Sequence, residues 1–391
     1  MKLSDLKKYI KVVKDNSIFT HGLSVGNHCV IDGPINSKDQ LHIISHAHQD
    51  HVTDPHIKKT MGIQNGKMLS TEPTKKLLRH GAKHRNIIHD YRFDHLEYGE
   101  ISEPYIEQGN IQVEFKDAGH ILGSAQVKII DPEVDFTVGY SGDIGAKVHT
   151  PIDSDVLILD ATYSNLYEDG TNFQRDLVFE AAIDLVNYAI NNEINLNIAG
   201  GNGILQELLH IIGSETELWN VNENVYTDKK QIIDWVNTYK EYPEKGNQPK
   251  EIFNLMDGDF FHGDGYINLM KLKKEKKQII SIFNNSNDAQ NIGKKDLILN
   301  IDNSPFQKIK SLDELRPQKN KYFYNLPLTA HETGESMYRY IEMVNPSVIL
   351  TDVRSESNND LELSKNIVSH FPGIGSWTTR QLESFQYDPS R

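Results

Sequence analysis

The sequence predicts a mixed α/β fold in which one domain is interrupted by another. Three observations carry this. Up to about residue 163, short apolar runs alternate with turns rich in Gly and acidic residues. From about Thr171, apolar residues at helical spacing alternate with short strand-like runs. From Tyr322 a strand, helix, strand pattern returns. Domain bounds of 1–170, 171–320 and 321–391 follow, with the outer two segments forming a single domain.

In the first segment, residues 40–45 (QLHIIS) form an apolar run ending in a His cluster, and residues 111–115 alternate, as do Ala125, Val127 and Ile129. Residues 135–140 and 155–159 complete the strand set. Residues 1–16 mix Lys with Leu, Ile and Val, which reads as an amphipathic helix and not a signal peptide. In the middle segment, residues 173–192 and 229–239 carry helical periodicity, and residues 194–199 read as a strand. Gly200, Gly201, Asn202 and Gly203 then open a helix through Leu205, Leu208, Leu209 and Ile212. Residues 271–315 are polar, with no clear period. In the last segment, residues 322–328 and 348–351 are strand candidates around a helix over 331–344.

At 38% hydrophobic and 25% charged, the 391 residues can bury a sizeable core. No apolar run reaches the roughly 18 residues that span a bilayer, so no membrane partner is expected. The single cysteine, Cys29, excludes an internal disulfide and suits a cytoplasmic protein; it reads as a small buried hydrophobe. Any metal must therefore be held mainly by nitrogen and oxygen. A net charge of -14 gives little long-range attraction for a polyanion. The basic runs at 75–85 (KKLLRHGAKHR) and 271–277 (KLKKEKK) read first as solvated helix faces.

The chemistry begins with His46, His48, Asp50 and His51, directly after the strand at 40–45. His46 and His48 are two apart, so an extended backbone projects both to one side, and Asp50 and His51 follow where the chain turns. Imidazole and carboxylate suit zinc. His120 lies in Asp117 to Ser124 (DAGHILGS), a turn made tight by two Gly. Asp143 follows Ser141 and Gly142 at another strand end, as a candidate carboxylate between two metals. Asp32 reads either as a carboxylate orienting a ligand His or as a plain turn residue.

In order and spacing these pieces resemble the metallo-β-lactamase superfamily. The resemblance implies an αββα sandwich with two zinc ions at one edge. His46, His48 and His120 would hold one, Asp50 and His51 the other, and Asp143 would bridge. A narrower resemblance, to the β-CASP nucleases and their mRNA 3′-end processing exonucleases, rests on three segments. These are residues 156–163 (VLILDATY) with Asp160, residues 200–212 (GGNGILQELLHII) and residues 328–332 (LTAHE) with His331. It implies an inserted β-CASP-like α/β domain and zinc-dependent hydrolysis of phosphodiester bonds in RNA or DNA. Asp50, Asp143, Asp160 and His331 would be the catalytic residues, and His331 would sit by the scissile phosphate. Single-stranded RNA or DNA is the expected partner, and a homodimer is compatible with it. RNA is favoured by the DAGHILGS segment. The family's usual seventh ligand, a His, is absent from residues 350–354 (LTDVR), where either Asp352 replaces it or nothing does, so a weak second metal is expected. A glyoxalase- or lactonase-type hydrolase would use the same first cluster but leaves the insertion, Asp160 and His331 without a role. A non-catalytic subunit of a nuclease assembly would suit the missing His and the acidic charge, but has no reason to keep His46, His48, Asp50, His51, His120 and Asp143 together.

Overall fold

The computed structural model describes residues 2–14, 21–33, 35, 39–52, 67–80, 93–96, 105–106, 111–145, 150–162, 175–216, 225–227, 230–242, 278–284, 286–290, 296–301, 312–319, 321–328, 331, 334–353 and 359–383. The chain divides into two compact units, Met1–Gly170 with His331–Arg391, and Thr171–Ala330. No described helix is long and apolar enough to cross a membrane.

The first unit opens with helix α1 (Leu3–Tyr9), which turns directly into strand β1 (Ile10–Lys14). The single helix expected over residues 1–16 is therefore corrected. Ile10, Val12 and Val13 favour an extended chain, and β1 gains a full antiparallel ladder with β2 (His21–Val25). One sheet runs β1, β2, β3 (Cys29–Ile31), β4 (Leu41–Ile43), β5 (Lys67–Thr71), β6 (Phe93–Leu96). The second uses β7 (Tyr105–Ile106), β8 (Gln112–Asp117), β9 (Ala125–Ile130), β10 (Thr137–Tyr140), β11 (Val156–Asp160), β17 (Val348–Asp352) and β18 (Gly375–Thr378). Its order is β18-β17-β11-β10-β9-β8-β7. Alternate residues of both sheets meet in one core: Leu23, Cys29, Ile31 and Ile43 from the first, Phe115, Val127, Ile158 and Leu350 from the second. The odd residues Leu157, Leu159 and Ile349 point the other way, onto α7 (Gly334–Val344) and α8 (Asn359–His370). Helix α2 (Glu72–His80) follows β5 and packs against β5 and β6.

This topology gathers one edge. Strands β10, β11 and β17 are parallel, so their C-terminal ends lie together. Strand β9 is antiparallel to β10, which puts its start at that edge too. The Ala125 N–H donates to Ser45 O across the sandwich at 2.9 Å, joining the end of β4 to the same place.

The second unit holds a five-stranded parallel sheet, ordered β13 (Val225–Tyr226), β14 (Ile280–Phe283), β12 (Leu196–Ala199), β15 (Leu297–Ile301), β16 (Phe323–Leu326). Its described helices are α3 (Arg175–Asn191), α4 (Ile204–Glu215), α5 (Lys230–Glu241) and the short α6 (Ser286–Gln290). β12 and β14 are wholly buried, as strands of a parallel sheet are. Two differences from expectation arise here. β14 and β15 fall inside the stretch that showed no period, because strands buried on both faces need not alternate. β16 pairs with β15, so the segment from 321 to 330 belongs to this unit and not to the resumed first domain.

Candidate metal centre

Each ligand-type side chain sits where a strand stops at the gathered edge. His46 follows β4 and is fully buried. His120 stands in the turn between β8 and β9, where Gly119 and Gly123 take φ values of 67° and 81°. Asp143 follows β10, and Gly142 turns the chain with φ 59°, where a Cβ would meet Ala125 O at 2.8 Å. Asp160 ends β11 and His331 precedes α7.

His46 Nε2 and His120 Nε2 both lie 3.1 Å from His48 Nδ1. Asp143 Oδ2 lies 3.4 Å from His46 Nε2 and 3.5 Å from His120 Nε2. A tetrahedral ion with bonds of about 2.0–2.1 Å has ligand edges of about 3.3 Å. These four edges match such a site, and all four ligand atoms lie within 4.8 Å of one another. The other oxygen, Asp143 Oδ1, lies 3.0 Å from His51 Nε2, which is 3.8 Å from Asp50 Oδ2. Asp143 is shared by both groups, His46, His48, His120 and Asp143, and Asp50, His51 and Asp143, each of which could hold a metal ion. A third group joins Asp143 to Asp160 and His331, with His331 Nε2 3.6 Å from Asp143 Oδ2.

Ring orientation is set behind the centre. Asp32, fully buried and with φ 52°, accepts from Ser45 N at 2.8 Å, Ser45 Oγ at 2.7 Å and His51 Nδ1 at 2.8 Å. Of the two readings of Asp32, the orienting carboxylate describes its contacts. Ser45 Oγ, already donating to Asp32, is placed to accept from His46 Nδ1 at 3.1 Å. Both rings then carry their proton on Nδ1 and turn an Nε2 lone pair towards Asp143. Lone pairs of neutral imidazoles crowded this closely repel one another and a carboxylate; a cation between them removes the conflict, so the donor set fits a metal. Burial first, then His51, keeps His46 well below the usual imidazole range and therefore neutral. Burial opposes ionisation of Asp143, but in the metal-free protein a protonated His51, and after it His331, outweighs burial and holds the carboxyl well below its ordinary value.

Asp160 Oδ2 accepts from His331 Nδ1 at 2.8 Å, while Asp160 N donates to Ser141 Oγ at 2.9 Å. Burial works against a charged His331, yet Asp143 and Asp160 outweigh it and raise its pKa. Asp352 pairs in register with Asp160 across β11 and β17, but its Oδ1 takes His21 Nε2 at 2.8 Å and Thr379 Oγ1 at 2.6 Å. It belongs to none of the metal-type groups among the described residues. Of the two alternatives for the missing His, its contacts favour no replacement: Oδ1 is engaged by a bond to His21 of the other sheet.

Sequence reasoning gave no role to Ser45, Ser141 or His21, which act through partners remote in sequence; Ser45 and Ser141 stood inside motifs, and His21 did not. Another group, His28, Asp131 and Glu133, lies at the far end of β9, where Asp131 Oδ2 accepts from Tyr9 OH at 2.6 Å. Lys83 and Arg85, Tyr163, residues 271–277, and Thr329, Ala330 and Glu332 lie outside the described residues.

No family model matches the sequence, and no curated protein matches it significantly. Among solved structures, a protein of unknown function from Enterococcus faecalis V583 is similar, with a TM-score of 0.54 at 14% identity, over 86% of this chain and 78% of that one. That likeness concerns the fold alone. The metallo-beta-lactamase fold protein YhfI from Bacillus subtilis aligns over 40% of this chain and 69% of its own, with a TM-score of 0.28 at 15% identity.

Proposed function

We propose that this protein is a metal-dependent hydrolase of the metallo-β-lactamase type, with zinc as its metal, that cleaves phosphodiester bonds of single-stranded RNA or DNA in the manner of β-CASP nucleases. The observation that carries the reading is Asp143. One oxygen, Oδ2, faces His46 and His120 and lies 3.6 Å from His331 Nε2, and the other faces His51.

His46, His48, His120 and Asp143 would hold the first ion, and Asp50, His51 and Asp143 the second, weaker one. Metal bound there supplies Lewis-acid polarisation of a phosphoryl oxygen and a nucleophile from water at neutral pH. The chain's own residues do the rest. Asp32, directly and through Ser45, holds His51 and His46 in the tautomers that keep Nε2 basic. Asp160 fixes the His331 ring and favours its protonated form. His331 Nε2 can then stabilise a phosphoryl oxygen or give its proton to the leaving oxygen. RNA is preferred over DNA on the DAGHILGS turn. The expected products carry a 5′ phosphate and a 3′ hydroxyl.

The test is incubation with end-labelled single-stranded RNA and DNA, with and without a chelator. Cleavage abolished by chelation and restored by zinc supports the reading. Metal-bound protein that cleaves neither polymer rejects it, and turnover of a thioester or lactone would point to a small-molecule hydrolase instead.

A further inference from the structure

The metal ligands come from both sheets, so their spacing depends on how the sheets are fastened at that edge. His46, His48, Asp50 and His51 follow β4 of the first sheet, whereas His120 and Asp143 belong to the second. Beside the Ala125 to Ser45 bond, a second fastener reaches the turn that carries His120. Thr71 Oγ1, at the end of β5, donates to Gly123 O at 2.6 Å, and Thr74 Oγ1, in the first turn of α2, donates to the same oxygen at 2.8 Å. Thr74 N donates in turn to Thr71 Oγ1 at 3.3 Å. All three residues are removed from solvent or nearly so, and the turn is pressed onto α2. A Cβ on Gly123 would stand 2.6 Å from Thr74 N and 2.9 Å from Thr71 Oγ1, at a φ of 81°.

The turn itself is stiff. Ser124 Oγ accepts from His120 N at 3.1 Å and Ile121 N at 3.2 Å, and Ser124 N donates to Ile121 O at 2.9 Å. On the opposite flank Gln126 Nε2 donates to Asp117 O at 2.6 Å. A displacement of Gly123 O is therefore passed to His120 without being absorbed in the turn.

We propose that Thr71 and Thr74 are positioning residues of the metal centre, whose paired hydroxyls on Gly123 O set where the His120 imidazole stands relative to His46 and His48. The proposal rests on the metal reading above. It commits to an effect on metal affinity and geometry, beyond any effect on folding, because outer-shell contacts typically alter metal affinity about 10–100-fold.

The experiment compares Thr71→Val/Thr74→Val with Thr71→Ser/Thr74→Ser in the full chain. Zinc affinity is measured by competition with a chromophoric chelator, and cobalt absorption bands report ligand geometry. Circular dichroism and unfolding of the metal-free proteins control for the fold. The Val pair should lose about 10–100-fold in affinity at the tighter site and shift the cobalt bands; the Ser pair should restore both. If the Val pair does not fold, each single Val variant, which retains one hydroxyl, is measured in its place. Folded Val variants with wild-type affinity and spectrum overturn the proposal, and so do Ser variants as weak as the Val ones. Metal-free destabilisation with unchanged affinity also overturns it, because the hydroxyls then serve folding alone. Wild-type protein that takes up neither zinc nor cobalt brings down the metal reading itself, a result distinct from failure of the clamp.

Discussion

Asp32→Asn is the sharpest perturbation of the centre, because it swaps one carboxylate oxygen for an amide and leaves the volume unchanged. Asp32 accepts three bonds at 2.7 to 2.8 Å, from Ser45 N, Ser45 Oγ and His51 Nδ1. An amide has a single acceptor atom, so either orientation sets an NH2 group against a donor. Hydrogen bonds to a charged group contribute about 1.5–3 kcal/mol each, and Ser45 Oγ can rotate to recover part of the loss, so the metal-free protein should lose about 2–4 kcal/mol. His51 responds by moving its proton to Nε2. That atom lies 3.0 Å from Asp143 Oδ1 and would then donate to it, withdrawing the lone pair from the Asp50, His51, Asp143 group. Metal affinity there should fall about 10–100-fold, with a smaller change at the three-imidazole group. Chelator competition measures the affinities, and urea unfolding of metal-free protein measures the stability. An Asn variant that keeps both affinities and the wild-type midpoint would refute the tautomer argument.

Metal content and two-step titration should show one tight and one loose zinc. His46→Ala/His48→Ala should remove the tight one, and two equal tight sites would count against the assignment. His331→Ala should keep its zinc but lose about 10²–10⁴-fold in nuclease rate, and normal cleavage by the folded variant would take His331 out of the mechanism. The same residue has a pH signature in the metal-free protein. Its folded pKa is raised above 6.5, so its stabilisation is full below 6.5 and is lost as pH rises through the folded value. His331→Gln should flatten that decline, and an unchanged pH profile of unfolding would contradict it. Asp352→Asn should cost ~1–2 kcal/mol through its His21 and Thr379 bonds while leaving zinc stoichiometry at the wild-type value. Loss of a metal equivalent would return Asp352 to the ligand set.

The sequence by itself determined the local chemistry. His46, His48, Asp50 and His51 lie within six residues after an apolar strand, so their convergence needs only the geometry of a strand running into a turn. His120 and Asp143 announced themselves through Gly neighbours, because left-handed φ values at Gly119, Gly123 and Gly142 are what tight strand-end turns require. Cys29 reads as core from its apolar neighbours Val30 and Ile31, and it is fully buried. Only the tertiary structure decided matters that depend on hydrogen bonds between distant segments. β16 has the same strand pattern whichever unit it joins, and its ladder to β15 assigns it. Asp160 and His331 are 171 positions apart and meet at 2.8 Å because β11 ends where α7 begins. Asp352 looked like a replacement ligand because it ends the strand beside Asp160; His21, more than three hundred positions earlier, takes its oxygen instead. The clamp on Gly123 left no local trace, since Thr71 and Thr74 are ordinary residues at a strand end and a helix start. Ligand identity is a local property of side chain and turn, whereas ligand spacing is fixed by the packing of two sheets, which no single segment encodes.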